Sequence, residues 1–270
     1  MDLYRILKDA CFAAGKIQLD NYNREIEVSK KTNAADLVTE VDFKSQDVII
    51  KSLTDSITSY GIDNKDLGFI AEEKGVEKNA EHLFIIDPMD GTGNYVEGNG
   101  FFCVSIAYLL NSEIIAGGIY RPTENTFYFA QKGKGAFSEK NEIKKELRVK
   151  DCKLEDSNIG YNTAAWPEVT EKALKGALKF VYKVKKVNQA RSAVLSILSV
   201  AENKYQASLI PMCFVWDFAA AKIIVEESGG VISDWKGNKL EYDLKDTKRG
   251  YEILSVGSDL YEPIVRVLST

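Results

Sequence analysis

Hydrophobic residues recur every three or four positions at the start of the chain, as at Leu3, Ile6 and Leu7. Because an α-helix turns once in about 3.6 residues, this spacing places them on one face and predicts an amphipathic helix. Thr39 can cap a second helix, which runs to about residue 58. The same reasoning predicts further helices at residues 168–180, 192–201, 217–227 and 261–268.

Short apolar runs between turn residues predict strands. Three runs between residues 102 and 130 are separated by Asn111-Ser112 and Arg121-Pro122, which is typical of an antiparallel meander. Helices mixed with such strands predict a layered α/β or α+β fold. The predicted strands are residues 25–30, 67–71, 83–87, 102–110, 114–120, 126–130, 157–161, 181–187, 205–210, 231–235 and 252–256.

The charged segment Glu139–Lys153 is the predicted boundary between two halves of the chain. Residues 1–140 are expected to form an α+β half. Residues 141–270 are expected to form an α/β half that completes the site and the substrate pocket.

Composition narrows the class of protein. The chain has 270 residues, 45% hydrophobic and 28% charged, which fits a globular protein that buries its own core. The net charge of -5 argues against a surface for a nucleic-acid polymer or a membrane. The N-terminus has no signal-peptide pattern and no apolar run approaches a transmembrane length, so we expect a cytoplasmic protein. The four cysteines are widely spaced and should be free thiols.

The chain contains a single histidine, His82, which limits the available chemistry. A zinc site with several histidine ligands is excluded, and a Ser-His-Asp triad would have to use this residue. His82 directly precedes the apolar run Leu83–Ile86, where a structural or solvent-facing role is expected. Chemistry must therefore come from carboxylates, hydroxyls, backbone groups and a metal ion.

Acidic residues stand at the ends of apolar segments in distant parts of the chain. They are Asp42, Glu72, Asp87, Asp90 and Asp217. A buried carboxylate is unfavourable unless it is paired or bound to a metal, and several that converge need a cation. Oxygen ligands without a histidine or thiolate cluster suit Mg²⁺, and Mn²⁺ would also fit.

Each acidic segment also has a simpler interpretation when it is taken alone. Asp87–Thr92 can be an acidic surface turn, although Pro88 would stiffen it and Gly91 would let a ligand approach the backbone. Asp217 can be a helix N-cap, and Glu72 can belong to a polar loop. If Gly91 opens a helix, the free N–H groups there form an anion site.

Taken together, the segments resemble the signatures of the inositol monophosphatase family. Asp87–Tyr95 resembles the signature DPxDGTxNF, and Trp216–Ala220 with Glu226–Gly230 resembles WDxAAxxxxxxEAGG. Leu37–Asp42 is similar to the segment LVTxxD, and Ala71–Glu73 is similar to GEE, with alanine in place of glycine. The motifs keep the family's order and spacing, and the resemblance covers nearly the whole chain.

The resemblance implies the sugar-phosphatase fold, a layered αβαβα sandwich, and Mg²⁺-dependent hydrolysis of a phosphate monoester. It implies two or three ions per active site. The ligands that it implies are Glu72, Asp87, the carbonyl of Met89, Asp90 and Asp217. Most of them lie in the N-terminal half, and Glu72 with Asp42 would help to place a third, weaker ion.

The resemblance also implies catalytic roles. A metal-activated water would attack the phosphoryl group, Glu72 would accept its proton, and Thr92, hydrogen-bonded toward Asp42, would assist. Gly91 and Thr92 would hold the phosphate through backbone groups, with Asp90 beside them.

Some positions depart from the family pattern. Ile210 stands where the animal inositol enzymes have a glutamate that contacts the inositol ring, and isoleucine cannot hydrogen-bond a hydroxyl. Arg191 stands where the family commonly has glycine; it either reaches a second phosphate or a carboxylate of the substrate, or points to solvent or to a dimer interface. Lys31 lies where the family often has a lysine near the metals, and a solvated surface lysine is the alternative.

These observations leave the substrate open. An inositol-1-phosphate-type monophosphatase is favoured. The alternatives are a bisphosphate phosphatase, acting on fructose 1,6-bisphosphate or 3′-phosphoadenosine 5′-phosphate, and a histidinol-phosphate phosphatase on the same fold. A non-catalytic binding protein would lack at least one of the five acidic residues, and all are present. The family resemblance further implies a homodimer and inhibition by Li⁺.

Overall fold

The structure is a computed structural model that describes residues 1–32, 36–73, 75–76, 80–163 and 166–269. Within these ranges, the α-helices are α1 (Leu3–Asn21), α2 (Glu40–Ser59), α3 (Thr92–Val96), α4 (Pro167–Leu178), α5 (Ala193–Ala201), α6 (Val215–Glu227) and α7 (Tyr261–Ser269). Short 3₁₀ helices lie at Asn64–Asp66, Pro122–Glu124, Leu154–Asp156 and Ser258–Leu260.

The strands of the described residues fall into two large sheets and one small antiparallel pair. They are β1 (Val28–Lys30), β2 (Leu37–Thr39), β3 (Leu67–Ala71), β4 (Gly75–Val76), β5 (His82–Asp90), β6 (Cys103–Leu110), β7 (Glu113–Arg121), β8 (Thr126–Gln131), β9 (Ala136–Lys140), β10 (Ile143–Leu147), β11 (Asn158–Tyr161), β12 (Lys186–Gln189), β13 (Ala207–Cys213), β14 (Gly230–Ser233) and β15 (Tyr251–Gly257).

The larger sheet has the order β10-β9-β8-β7-β6-β5-β3-β4. Strands β3 and β5 are parallel, and the predicted meander is confirmed as the antiparallel strands β6, β7 and β8. The second sheet has the order β12-β11-β13-β15-β14. In it β11 runs parallel to β12 and β13, while β15 runs antiparallel to its two neighbours.

Helices cover both faces of each large sheet. Because side chains alternate along a strand, Phe84 of β5 packs with α1 and α2, whereas Ile85 packs with α5 and α6. Helices α5 and α6 lie between the two sheets, and α4 and α7 pack on the far side of the second sheet. The predicted αβαβα sandwich is therefore confirmed.

The predicted cap of α2 is confirmed, and it fixes the position of an acidic residue. The Thr39 hydroxyl accepts the N–H of Val41 at 3.1 Å, and Asp42 Oδ2 accepts the N–H of Thr39 at 2.8 Å. This reciprocal pair satisfies N–H groups that the first helical turn leaves free. Asp42 is therefore held fully buried at the start of the helix.

The structure differs from the prediction at several elements, two of which lie after residue 138. The strand expected at residues 181–187 is wrong in its bounds, because β12 begins only at Lys186 and the preceding Tyr182 is 99% exposed. The charged segment Glu139–Lys153 contains β10, which pairs with β9 and carries exposed lysines on the edge of the larger sheet. The chain thus leaves the larger sheet after Leu147, while the division into two halves at residue 140 stays a prediction.

Two smaller expectations from the sequence agree with the structure. His82 Nδ1 lies 2.7 Å from the hydroxyl of Tyr108, at the start of β5, which is a structural contact. All four cysteines are free. Among the described residues, no helix has the length and apolarity that crossing a membrane requires.

A glycine allows α6 to approach the larger sheet closely. A Cβ atom at Gly117 of β7 would lie 2.6 Å from the carbonyl oxygen of Ala220 in α6, well inside van der Waals contact. Helix α6 also carries Asp217 near its start. The absence of a side chain at Gly117 therefore sets the position of a candidate ligand.

We predict that Gly117→Ala lowers the free energy of unfolding by about 1–3 kcal/mol, because backbone atoms of α6 must move away. Urea denaturation measures this change. Gly250→Ala is the control, since its Cβ would meet only the flexible side chain of Met212. Equal stability of the Gly117 variant and the natural protein would contradict the close approach.

Candidate active site

Three of the predicted acidic residues converge at one point. Carboxylate oxygens of Asp87, Asp90 and Asp217 all lie within 4.8 Å of one another. Asp87 and Asp90 come from the end of β5, and Asp217 comes from the first turn of α6. Residues from two distant segments therefore form one acidic cluster between the two sheets.

A β-bulge brings Asp87 and Asp90 to the same side of β5. Asp87 pairs with Ser105 and Asp90 with Cys103, so three steps along β5 match two steps along β6. Residues three apart on a regular strand face opposite sides, and the extra residue reverses this. Pro88 lies within the bulge, where its missing N–H removes a ladder hydrogen bond. The sequence prediction ended this strand at Asp87, whereas the structure continues it to Asp90.

Backbone N–H groups orient the carboxylates of the cluster. Asp87 Oδ1 accepts the N–H of Met89 at 3.0 Å, and Asp217 Oδ2 accepts the N–H of Phe214 at 2.6 Å. Asp217 is the third residue of α6 and accepts the N–H of the N-cap residue Phe214, so it is not the N-cap itself. Each of these hydrogen bonds fixes one oxygen of its carboxylate.

The environment of the cluster disfavours its negative charges. Burial raises the pKa of Asp87 well above its ordinary value, and the charges of Glu72, Asp90 and Asp217 raise it further. Burial likewise raises the pKa of Asp217, and the negative charges of Glu72 and Asp90 raise it further. Burial raises the pKa of Asp90 to about 6, although a hydrogen bond from Ser192 opposes the shift. Buried carboxylates that repel each other fit a divalent cation, and their hard oxygen donors match it chemically.

Asp42, Thr92 and Glu72 surround this cluster. The Thr92 hydroxyl lies 2.9 Å from Asp42 Oδ1 and 3.1 Å from the carbonyl oxygen of Met89, and it can donate to either. Burial raises the pKa of Asp42 to about 6, against hydrogen bonds from Thr39. Glu72 directly follows β3, and its charge acts on the aspartates of the cluster. The predicted contact between Thr92 and Asp42 is thus present.

Lys31 lies beside the predicted general base. Its ammonium is 2.7 Å from Glu72 Oε1 and 2.6 Å from Glu73 Oε1. The nearby residues 33–35 lie outside the described part of the chain. Lys31 is therefore an ion-pair partner of Glu72 and not a freely solvated lysine.

Gly91 has the backbone conformation that the predicted phosphate segment needs. Its φ is +90°, and a Cβ there would lie 2.8 Å from the carbonyl oxygen of Phe101. Only glycine fits this position without strain. Helix α3 begins at the next residue, Thr92, so the first N–H groups of α3 lie beside the cluster.

A cavity of about 260 Å³ opens beside the cluster and contains both substrate-contact candidates, Arg191 and Ile210. Ile210 of β13 is 1% exposed. The Arg191 guanidinium forms two parallel hydrogen bonds with Glu97, at 2.6 and 2.7 Å, and is about half exposed. The further residues lining the cavity are Asp36, Leu37, Glu72, Asp87, Met89, Asp90, Gly91, Thr92, Gly93, Asn162, Thr163, Trp166, Ser192, Ala193, Met212, Cys213, Phe214, Trp216 and Asp217.

Sequence reasoning did not find two residues at this site. Asn94 donates from Nδ2 to the carbonyl oxygen of Phe101 at 2.8 Å and to that of Arg191 at 3.0 Å, which joins α3 to the segment that carries Arg191. Glu97 forms an ion pair with Arg191, which is distant from it in the sequence. Arg191 is more than 90 residues away from both Asn94 and Glu97 in the sequence, so no local pattern signals these two contacts.

Comparison with known proteins agrees with this fold and site. Residues 2–262 match the inositol monophosphatase family. An inositol-1-monophosphatase of Caulobacter vibrioides is 32% identical over 250 residues, 90% of this chain and 91% of that protein. A fructose-1,6-bisphosphatase/inositol-1-monophosphatase of Thermotoga maritima is 30% identical over 227 residues, 83% of this chain and 82% of that protein. The crystal structure of the extragenic suppressor protein SuhB from Bartonella henselae has a TM-score of 0.87 at 27% identity, covering 100% of this chain and 99% of that one.

The site and the fold define a metal-dependent phosphatase that acts on phosphate monoesters of small molecules. The chain belongs to the inositol monophosphatase family. The family resemblance read from the sequence is therefore confirmed.

We predict that Asp87→Asn raises the melting temperature of the metal-free protein by at least 2–4 °C, roughly the shift that 1 kcal/mol produces in a chain of this size. Removing a buried charge relieves the repulsion in the cluster. In the natural protein the folded state raises this pKa, so the carboxyl destabilises the fold increasingly as pH rises toward neutral.

Divalent metal should reverse the order of stability. Mg²⁺ should raise the melting temperature of the natural protein but not that of Asp87→Asn, because binding to the folded state adds stability only where the ligands are intact. Asp9→Asn on the exposed face of α1 is the control and should respond like the natural protein. A metal-free Asp87→Asn protein that melts below the natural one would contradict the repulsion.

Proposed function

We propose that the chain hydrolyses the phosphate monoester of a small polyol or sugar, as an inositol-1-phosphate-type monophosphatase that uses Mg²⁺. The observation that carries the proposal is the acidic cluster of Asp87, Asp90 and Asp217 at one end of the cavity. A phosphate that enters this cavity meets carboxylates, which would repel it without metal. The cluster therefore suits a phosphate ester only as a metal site.

The ligand set proposed for Mg²⁺ consists of oxygen donors. Glu72, Asp87 and the Met89 carbonyl would hold one ion, and Asp90 and Asp217 would share Asp87 in holding a second. Glu72 and Asp42 would help to place a third, and Mn²⁺ would also suit these donors. When bound, the metal supplies Lewis acidity, which lowers the pKa of a water and offsets charge on the phosphoryl oxygens.

The side chains of the protein would manage the proton and the geometry. Glu72 would accept the proton of the attacking water. The Thr92 hydroxyl, 2.9 Å from Asp42 Oδ1, would help to orient that water. N–H groups of Gly91 and Thr92 would bind the phosphoryl oxygens at the start of α3.

Relatives differ in the substrate their names state, and this chain has features that bear on the choice. The Thermotoga maritima relative is named for both a bisphosphate and a monophosphate activity. Among the described residues that line the cavity, Arg191 is the only lysine or arginine, which favours a bisphosphate as the second candidate substrate. The homodimer, the cytoplasmic location and the inhibition by Li⁺ stay predictions.

We predict that Asp90→Asn keeps the fold but lowers kcat by on the order of 100-fold or more, as when a contact that stabilises transition-state charge is lost. The fold should survive because asparagine can still accept the N–H of Ala193, which lies 3.1 Å from Asp90 Oδ1. Phosphate release from inositol 1-phosphate in Mg²⁺ measures the activity, and circular dichroism checks the fold. Asp9→Asn is the control, and near-normal turnover of Asp90→Asn would refute the proposed site.

A pair of variants tests the bisphosphate candidate. Arg191→Ala should raise KM for fructose 1,6-bisphosphate by about 5–10-fold, because the substrate would lose charge-assisted hydrogen bonds to a half-exposed guanidinium. Glu97→Gln should lower the same KM, because it removes the carboxylate that forms an ion pair with the Arg191 guanidinium and competes with a substrate phosphate for it. KM for inositol 1-phosphate should change less in both variants. Equal changes for the two substrates would assign Arg191 a structural role.

A further inference from the structure

Helix α4 and the turns that follow it have apolar side chains on two faces. The inner face carries Ala173, Ala177 and Phe180, which are buried against the second sheet. We call the set Leu174, Leu178, Val181 and Tyr182 the outer stripe; these side chains are 43%, 67%, 45% and 99% exposed, in that order. The outward face of a surface helix is normally polar, so the core of this fold does not account for the outer stripe.

The outer stripe is continuous along one side of this segment. Leu174 and Leu178 are four residues apart in α4 and therefore lie on the same face of the helix. After α4, the N–H of Val181 donates to the carbonyl oxygen of Leu178 at 3.4 Å, and that of Lys183 donates to the carbonyl oxygen of Phe180 at 2.8 Å. Because these turns continue the helical path, the exposed side chains follow one another without a break.

Lysines surround the outer stripe. Residues 172–186 contain six lysines and no acidic residue, in a chain whose net charge is -5. Lys172 forms an ion pair with Glu252, and Lys175 forms one with Glu171. The lysines that form no ion pair with a described residue are Lys179, Lys183, Lys185 and Lys186. This segment is therefore a basic, apolar surface on an acidic protein.

The local charge of this surface matters more than the net charge of the chain. Salt screens interactions between exposed charges beyond about 8 Å at physiological ionic strength, so acidic residues elsewhere on the surface have little effect here. Asp156 lies on the adjoining segment, and its charge acts with that of Lys185 on the thiol of Cys152. It can offset only one of the unpaired positive charges. The expectation that the net charge excludes a membrane surface therefore does not apply to residues 174–186.

A lipid bilayer that contains anionic lipids matches both properties of this surface. The outer stripe needs an apolar environment, and the lysines need anions close beside it. The boundary between headgroups and acyl chains offers the two together. Long lysine side chains can place their ammonium groups among lipid phosphates while the outer stripe lies deeper, and tyrosine is a favoured residue at this depth.

Other occupants fit this surface less well. A symmetric contact with a second copy would place these lysines against the same lysines of the partner, which is unfavourable. Nucleic-acid phosphates would neutralise the lysines but would leave Leu178 and Val181 without an apolar partner. A protein partner would need a groove shaped for Tyr182, whose side chain is 99% exposed, whereas a bilayer needs no shaped cavity.

We propose that residues 174–186 bind the surface of membranes that contain anionic lipids, with the outer stripe entering the boundary between headgroups and acyl chains. This inference is independent of the proposed hydrolysis. Helix α4 packs on the far side of the second sheet, whereas the carboxylate cluster lies between the two sheets. A protein bound in this way would be held by a face other than the one that carries the cluster.

Sedimentation with lipid vesicles tests the proposal. The natural protein should partition into vesicles of phosphatidylcholine with about one third phosphatidylglycerol at least 10-fold more than into vesicles of phosphatidylcholine alone. The triple variant Lys183→Gln, Lys185→Gln and Lys186→Gln should lower this partition by about 100-fold, because each lysine near an anionic surface contributes about fivefold. The control is the triple variant Lys51→Gln, Lys134→Gln and Lys245→Gln, which removes three exposed lysines elsewhere and should bind like the natural protein.

A second set of variants tests whether the outer stripe enters the bilayer. The double variant Leu178→Ser and Tyr182→Ser keeps every charge and should lower the partition into the anionic vesicles by about 10-fold or more, because apolar area is no longer buried. Both side chains are exposed, so the fold should survive, and circular dichroism checks it. Leu19→Ser, at an exposed position of α1, is the control. In the variant Tyr182→Trp, anionic vesicles should shift the tryptophan emission to shorter wavelength.

Several results would overturn the inference. They are equal partition of the natural protein into anionic and neutral vesicles, equal losses in the two lysine variants, and an unchanged partition of the double variant. Tighter binding to a single-stranded RNA homopolymer than to the vesicles would assign the lysines to nucleic acid instead. A dimer that Leu178→Ser and Tyr182→Ser dissociate, measured by sedimentation velocity, would show that a second copy covers the outer stripe. Phosphate release from inositol 1-phosphate tests the proposed function separately, since none of these variants alters the carboxylate cluster.

Discussion

The repulsion among carboxylates held within 4.8 Å of one another is the constraint on which the rest of the site depends. Folding brings Asp87, Asp90 and Asp217 together in a buried place, where their charges are unfavourable without a cation. The fold tolerates this because N–H groups of Met89 and Phe214 each bind one carboxylate oxygen. Stability is thus exchanged for three carboxylates that are close enough to share one cation.

Local features of the sequence predicted much of this arrangement. Three of these features each depend on a few neighbouring residues. They are the capping box of Thr39 and Asp42, the apolar strand β3 before Glu72, and the Asp-Pro-Met-Asp-Gly segment. The convergence of the acidic residues was predictable because charges at the ends of apolar segments need a common partner. The family signatures then placed the same residues in one order along the whole chain.

Contacts between distant residues could not be predicted in this way. The bulge in β5 becomes visible only when the register against β6 is known, although Pro88 marks its place. Glu97 pairs with Arg191, and Asn94 donates to the carbonyl oxygens of Ala190 and Arg191, so these contacts join segments about 95 residues apart. Asn94 also donates to the nearby carbonyl oxygen of Phe101, a contact that no local sequence pattern signals. Strand β10 was missed because its exposed lysines resemble a loop, as they often do on a sheet edge.

The short stretch of chain at residues 210–216, which lines part of the cavity, has a consequence for how this protein can change over evolution. The groups that would handle metal and phosphate are spread over several separate segments, and each is tied to its neighbours by hydrogen bonds. The surface that faces the remainder of the substrate includes one short stretch, residues 210–216. A few substitutions in that stretch would therefore change the range of substrates while the reaction stays the same. Paralogues would then differ in their substrates but share one hydrolytic mechanism.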